Sequence, residues 1–337
     1  MSAETVIYAG LDGGHREVKL TLSTGLRIMS SSSAMSGLSQ RVSLNGGQNR
    51  VFSYTTDEGP FSLGDIENAE DTAYDEYPYS AQNRAIVTHA LRVAGLDSSH
   101  QLITASGLPL KRFYVGSKPN GPLIKQKKAN LLRNDVRGLD GYVPPTIIKH
   151  DVMAEAVAGW VNYILQRDAA NKLYIDSERV KQRTAIVDIG GRTLDIAVVK
   201  DWDIDFSRST TDNMGMITII NGIKDRLFDH FGGIEPTDEQ VDQALNKGLV
   251  VHFGKTLDVS ELVESAVQSV VNSLKSTIKS KLKNAHDIQT IRFIGGTSKF
   301  LEKHLTGWFV NQQMSDNPAF ENADGMCKHA EFMASLK

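Results

Sequence analysis

The sequence predicts an α/β fold built twice over, with a cleft between the two halves. Two segments carry that prediction. Residues 6–11 form an apolar run ending in Asp12-Gly13-Gly14, and residues 18–22 resume a strand-like pattern, so the segment reads as a hairpin with glycine in its turn. About half the chain later the design returns: residues 184–187 lead into Asp188-Ile189-Gly190-Gly191-Arg192-Thr193, with strands expected at 194–199 and 202–206. A strand, an aspartate with nearby glycines and a second strand thus open each half, the mark of a duplicated core.

The elements between follow in order. Residues 81–94 are expected as a helix, 101–105 as a strand and 146–149 as another. The spacing predicts a helix over 151–166, with Asp151 as N-cap and Val152, Ala156, Trp160 and Ile164 along one stripe. Residues 216–231 place apolar side chains at 220, 223, 227, 228 and 231 and stop at Gly232-Gly233, where a helix C-cap belongs. The clearest amphipathic pattern is Leu262, Val263, Ala266, Val267, Val270, Val271, Leu274 and Ile278. Lys279, Lys281 and Lys283 gather at its C-terminal end, which the helix dipole favours. A strand over 290–294 runs into Gly295-Gly296, while the serines at 30–33 suit either strand or loop. Such stripes report core packing first.

Composition bounds the function classes. With 337 residues, 40% hydrophobic and 23% charged, the chain is globular rather than disordered. No apolar run approaches the roughly 18 residues a membrane span needs. The start Met1-Ser2-Ala3-Glu4 lacks the basic and apolar features of a secretory signal, so a cytoplasmic location without membrane partners is expected. A lone Cys327 forms no internal disulfide, and with the nine histidines it makes no zinc-ligand spacing. A net charge of −3 argues against wrapping nucleic acid directly.

The chemistry lies in the two glycine turns. Glycines after a strand let backbone N–H groups approach a phosphate, and an adjacent carboxylate can hold hydrated magnesium. Alone, Asp12-Gly13-Gly14 reads as an ordinary hairpin turn. The second segment is more specific, because Asp188, Gly190, Gly191, Thr193 and Asp195 share one turn between two strands. Both together point to phosphate capture from two sides. Neither carries the Lys-Ser/Thr ending of a P-loop.

These segments resemble the actin, sugar kinase and DnaK-type chaperone superfamily, and within it the ParM (StbA) family of plasmid-segregation actins. Leu11-Asp12-Gly13-Gly14 with Lys19 looks like the first phosphate loop, and residues 186–195 like the second. Residues 152–159 look like the first connecting helix, Phe293-Ile294-Gly295-Gly296 like the adenosine turn, and residues 322–326 like the second connecting helix. Gly107-Leu108-Pro109-Leu110 with Phe113-Tyr114, and Lys127-Lys128-Ala129-Asn130, resemble ParM more narrowly.

The resemblance implies an actin-like, ribonuclease H-like fold with domains at 1–165 and 166–337 flanking a central nucleotide cleft. It implies ATP or GTP with Mg2+ as cofactors, Asp12 and Asp188 holding the metal largely through water, and Lys19 belonging to the first loop. Gly13, Gly14, Gly190, Gly191, Arg192 and Thr193 would cradle phosphates, Gly295, Gly296 and Thr297 would form the adenosine turn, and Glu155 would align the attacking water. It implies homopolymeric filaments, a DNA-binding adaptor of ParR type at a centromere-like site, and plasmid DNA met only through that adaptor.

The pattern has departures. His15 stands where many relatives carry Ser or Thr, and either donates from its ring or points into solvent. Arg192 replaces a smaller residue, and either adds a phosphate contact or faces outward. Thr297 replaces a third glycine. The rival readings are a sugar or carboxylate kinase, a chaperone-type ATPase, and a shape- or magnetosome-type actin. Eight basic residues between 111 and 137 against one acidic, Asp135, and eight acidic ones between 51 and 83 with no basic one, offer complementary faces for filament contacts.

Overall fold

In a computed structural model the described residues are 6–14, 16–39, 51–64, 66, 69, 70, 72 and 74–336. His15 lies outside them.

Alternating apolar residues make β1 (Val6–Gly13), β2 (Glu17–Leu22) and β3 (Arg27–Ser31) an antiparallel meander. Helix α1 (Ala81–Val93) is capped by the Ser80 hydroxyl, which accepts from the Asn83 N–H at 3.1 Å. The chain then enters β4 (Gln101–Leu108), crosses by α2 (Gly121–Leu132) and enters β5 (Thr146–Ala154), both strands parallel to β1. The sheet order is β5-β4-β1-β2-β3. One face of α1 packs on this sheet through Val87 and Leu91, against Ala9, Leu11 and Leu20. The other, with Ala85 and Ile86, packs on a small antiparallel sheet that supplies Tyr54, Phe61 and Leu63.

After α3 (Val157–Ile164) the plan repeats. Strands β6 (Thr184–Ile189), β7 (Leu194–Lys200) and β8 (Asp203–Ile204) form a second meander. Helices α4 (Met216–His230) and α5 (Ser260–Leu282) lead to β9 (Thr290–Ile294) and β10 (Gln312–Met314), parallel to β6. The order β8-β7-β6-β9-β10 reproduces the first sheet strand for strand, with Thr210–Asp212 added on β7. The duplicated α/β fold predicted from the two hairpins is therefore present. Ala185, Val187 and Ile189 of β6 pack with Ile223, Leu227, Val267 and Leu274 into the second lobe's core.

Two helices cross between the lobes. By sequence α3 follows the first sheet, yet Trp160 and Ile164 join Ile186, Ala197 and Val199 of the second. The last helix, α6 (Glu321–Ser335), returns to the first sheet, so close that a Cβ on Gly10 would sit 1.8 Å from the Ala323 carbonyl oxygen. It crosses α3 as tightly: a Cβ on Gly325 would sit 1.8 Å from the Ala158 carbonyl oxygen. Only glycine allows either approach. Strand membership passes from the first sheet to the second between Ala154 and Thr184, and these helices stitch the two sheets together. No helix of the described residues is long and apolar enough to cross a membrane.

Three expectations need correction. The helix predicted over 151–166 begins only at Val157, because residues 151–154 pair in register with Ala105–Leu108 of β4, and ladder hydrogen bonds outweigh an i, i+4 apolar spacing that suits either conformation. Asp151 is thus no N-cap; it pairs with Lys128 at 2.6 Å. The strand expected at 202–206 shrinks to two residues, since Asp201 and Trp202 turn through φ of 51° and 69°. Arg133 of the basic block pairs with Asp57 and Glu58 of the acidic one inside one protomer, and the buried Arg84, outside both blocks, pairs with Glu58 and Asp135. Of the serines at 30–33, the first two finish β3 and the others lie beyond it.

Candidate functional site in the interlobe cleft

Strand period places the two aspartates. Side chains alternate along a strand, so Ala9 and Leu11 enter the core under α1 while Gly10 and Asp12 face α6. In the second lobe Val187 and Ile189 enter the core under α4 and α5, while Ile186 and Asp188 face α3. Asp12 and Asp188 hold matching places in the duplicated sheets. Across its hairpin Asp12 faces Lys19, and Asp188 faces Asp195.

Both line one cavity of about 400 Å³ between the lobes. Of the residues singled out by sequence, Gly13, Gly14, Lys19, Glu155, Gly190, Gly191, Arg192, Thr193, Gly295 and Gly296 line it too. Arg192 is thus one of the residues on the cleft wall. Thr297 does not line the cavity; its hydroxyl donates to the Gly190 carbonyl at 2.7 Å and ties the turn at 295–296 to the second loop. Gly295 (φ 94°) is forced by crowding, since a Cβ there would lie 2.3 Å from the Ile189 carbonyl oxygen and 2.4 Å from Asp188 Oδ1.

The second loop is braced from behind. The Gly190 N–H donates to the Thr193 carbonyl at 2.8 Å, and the Ile217 N–H of α4 donates to the Gly191 carbonyl at 2.8 Å. A Cβ on Gly191 would meet nothing within 4 Å, so open space lies in front of it. In the first loop the Ser32 hydroxyl holds the Gly14 carbonyl at 2.8 Å. Lys19 Nζ would lie 4.0 Å from a Cβ on Gly14 and 3.9 Å from one on Gly296, so this lysine spans the gap between lobes.

The cleft carries an excess of buried carboxyls. Burial, then Asp12 and Asp195, push the Asp188 carboxyl up to about 8. Burial and the same negative neighbourhood hold Glu155 well above the usual carboxylate range. Asp12 is raised by burial, opposed by Lys19 and Lys127, and Asp195 is raised by burial, opposed by its hydrogen bonds. Burial pulls the Lys127 ammonium down to about 8, against the pull of Glu155. Four carboxyls facing two lysines form a place that a divalent cation would neutralise. Among the described residues no three carboxylate, histidine or cysteine side chains cluster as a metal cage. Asp12 and Asp188 line one cavity and offer oxygen donors of the kind a hard divalent cation such as magnesium takes.

Four features were missed by sequence reasoning. Lys127 lies in a stretch noted for its resemblance, but nothing in the sequence placed it beside Glu155. Asp195 was seen as part of a turn; its Oδ1 accepts from the Leu110 N–H of the first lobe at 2.8 Å and from the Thr211 hydroxyl. The Gly107–Leu110 stretch is thus a latch between lobes, with the Lys111 N–H adding a bond to Thr211 Oγ1 at 3.0 Å. Asn322 donates from Nδ2 to Asp188 Oδ2 at 2.6 Å, a bond between residues 134 apart that no local pattern reveals.

Comparison with known proteins gives this geometry a context. Residues 8–163 match the family described as plasmid segregation protein ParM, N-terminal, and residues 186–307 match archaeal actin homologue MreB-like, C-terminal. The chain has an actin-like fold, and its first half is similar to the ParM N-terminal family model. Among solved structures, a 15-stranded ParM filament from Clostridium botulinum superposes with TM-score 0.75 at 18% identity, over 97% of this chain and 99% of that one. Ta0583, an archaeal actin homologue, in complex with ADP gives 0.71 at 19%, over 97% and 99%. Bacillus thuringiensis ParM with AMPPNP gives 0.65 at 13%, over 98% and 99%. At these identities the likeness is one of fold. No curated protein sequence matches the chain. The actin-like protein matches those chains end to end, so its two hairpins occupy a shared architecture.

Proposed function

We propose that this actin-like protein binds a purine nucleoside triphosphate, ATP or GTP, with Mg2+ in the interlobe cleft, assembles into filaments when loaded, and hydrolyses the nucleotide to disassemble. The observation that supports this is the pair of aspartate-bearing hairpins opening on one cavity, with Glu155 on its wall. Asp12 and Asp188 would hold the metal, whose charge would offset the carboxyl cluster and the phosphates. Backbone N–H groups at Gly13, Gly14, Gly190, Gly191 and Arg192, with the Thr193 hydroxyl and Lys19, bind the phosphates. Glu155 aligns the attacking water and draws on its proton; phosphoryl transfer needs such alignment and charge neutralisation more than covalent help.

Closure of the lobes on the nucleotide supplies the link to assembly, since the Leu110–Asp195 latch and the crossing helices make cleft geometry a property of the whole protomer. Heterologous contacts between identical protomers then propagate as a filament. In plasmid partition, an adaptor of ParR type bound to a centromere-like DNA site would hold the filament end, so that growth separates plasmid copies.

Sedimentation and electron microscopy of purified protein, with and without Mg2+ and each nucleotide, test the reading alongside phosphate release. Polymer and phosphate are expected only with both ligands. Absence of polymer under every condition overturns the filament, and absence of phosphate release overturns the hydrolase.

A further inference from the structure

Immediately after Glu155 the backbone takes an unusual path. Ala156 has φ 62° and ψ −41°, and the Val157 N–H donates to the Glu155 carbonyl at 2.7 Å. That is a γ-turn with positive φ, a strained conformation for a residue bearing a Cβ, and one that persists only where its surroundings hold it. On the upstream side the Glu155 N–H donates to the Leu108 carbonyl at 2.8 Å, the last rung between β5 and β4. On the downstream side the Ala156 N–H donates to Asn322 Oδ1 at 3.3 Å. The other end of the same amide, Nδ2, donates to Asp188 Oδ2 at 2.6 Å.

The two bonds fix each other. A carboxylate oxygen needs a donor and a backbone N–H needs an acceptor, so the Asn322 amide satisfies both in only one orientation. Its side chain is buried, and a Cβ on Gly159 of α3 would lie 3.5 Å from its amide oxygen.

We propose that Asn322 is a positioning residue that locks the Glu155 turn of the first lobe to Asp188 of the second. Neither Asp nor Ser can make both bonds in the same way: Asp keeps the acceptor and loses the amide donor, and Ser is too short to reach both partners. This inference rests on the proposed hydrolysis for its catalytic part, and on geometry alone for its structural part. With the amide in place, the water-aligning carboxyl and the metal-holding carboxyl keep one relative orientation through lobe movement.

The test uses the full chain in two assays. The first is amide hydrogen exchange of nucleotide-free protein over residues 154–161. Asn322→Leu, close in shape and without polar atoms, should accelerate exchange at the turn by about tenfold or more, with β1 and β6 unchanged. Asn322→Asp, which keeps the acceptor for the Ala156 N–H but loses the donor to Asp188, should exchange at a rate between the parent and Asn322→Leu. The second assay is nucleotide affinity against single-turnover hydrolysis. Asn322→Leu should slow hydrolysis by about tenfold or more, and by a larger factor than it weakens nucleotide affinity. Asn322→Ser serves as a second loss variant, with the same expectations, should the leucine variant not fold. Wild-type exchange at the turn in the loss variants overturns the lock; faster exchange with unaltered hydrolysis overturns its role in positioning Glu155. A wild-type protein that hydrolyses nothing would defeat the proposed function, while the exchange comparison would still decide the lock.

Discussion

Glu155 lies directly against Gly107: a Cβ on that glycine would come within 2.7 Å of Glu155 Cγ and 3.0 Å of Oε1. The β4 strand therefore stops the glutamate from one side while the γ-turn fixes it from behind. Gly107→Ala is expected to push the carboxyl off its place and lower hydrolysis by about 10–100-fold, in line with what small misplacements of an aligning group cost. Nucleotide affinity should stay within about threefold, because the phosphate loops are untouched. Single-turnover hydrolysis with a parallel binding titration checks both figures.

Glu155→Gln keeps the shape and removes the proton acceptor. Expected is a fall in phosphate release of about 100-fold or more, within the usual range for loss of general-base help. Nucleotide-driven assembly should persist and filaments should outlive those of the parent protein, as followed by light scattering after nucleotide is exhausted. Turnover at the parent rate would remove Glu155 from the mechanism.

Asp188 couples function to stability. Burial pushes its carboxyl up to about 8 from an ordinary 3.8, so the folded state holds the proton more tightly than the unfolded one. The stabilisation linked to that proton is complete below pH 3.8 and is lost as pH rises through 8. Asp188→Asn has no charge to bury, and the nucleotide-free variant should melt about 2–4 °C or more above the parent near pH 8, with a smaller difference near pH 5. Mg2+ and nucleotide, which should raise the parent's melting temperature, should raise the variant's far less. Thermal melts at both pH values, with and without ligand, supply the comparison.

Ionic strength should act on assembly. Raising salt from about 0.05 to 0.5 M shortens the screening length from over 10 Å to a few Å and weakens contacts between exposed charges. The critical concentration is expected to rise severalfold at most, because Arg133 and its acidic partners already neutralise part of both blocks within one protomer. Sedimentation across a salt series measures it, and a flat response would exclude polar filament contacts.

Legibility in the sequence followed the range of the interaction. Asp12-Gly13-Gly14 and Asp188 through Thr193 could be read directly, since a strand period of two and glycines in the turn are local signals. The segment at 151–164 could not, because Val152, Ala156, Trp160 and Ile164 satisfy a helix stripe, and only parallel pairing with β4 settles that the first four residues are strand. Asn322, Lys127 and Asp195 were hidden for the same reason: each acts through partners brought near by the crossing of two lobes. Thr297 was assigned to the nucleotide from its place in the adenosine turn, yet its hydroxyl serves the neighbouring loop.

The return of α6 onto β1 has a consequence for biosynthesis. The part of the first sheet that α6 covers stays open until residues 321–335 have left the ribosome, although the strands of that sheet were translated some 165 or more residues before. Lobe by lobe maturation is thereby denied to this chain: Gly10 and the aspartate two residues on acquire their final surroundings only when translation has run through the helix that crosses them, so a nascent first half has no finished pocket in which to trap nucleotide prematurely.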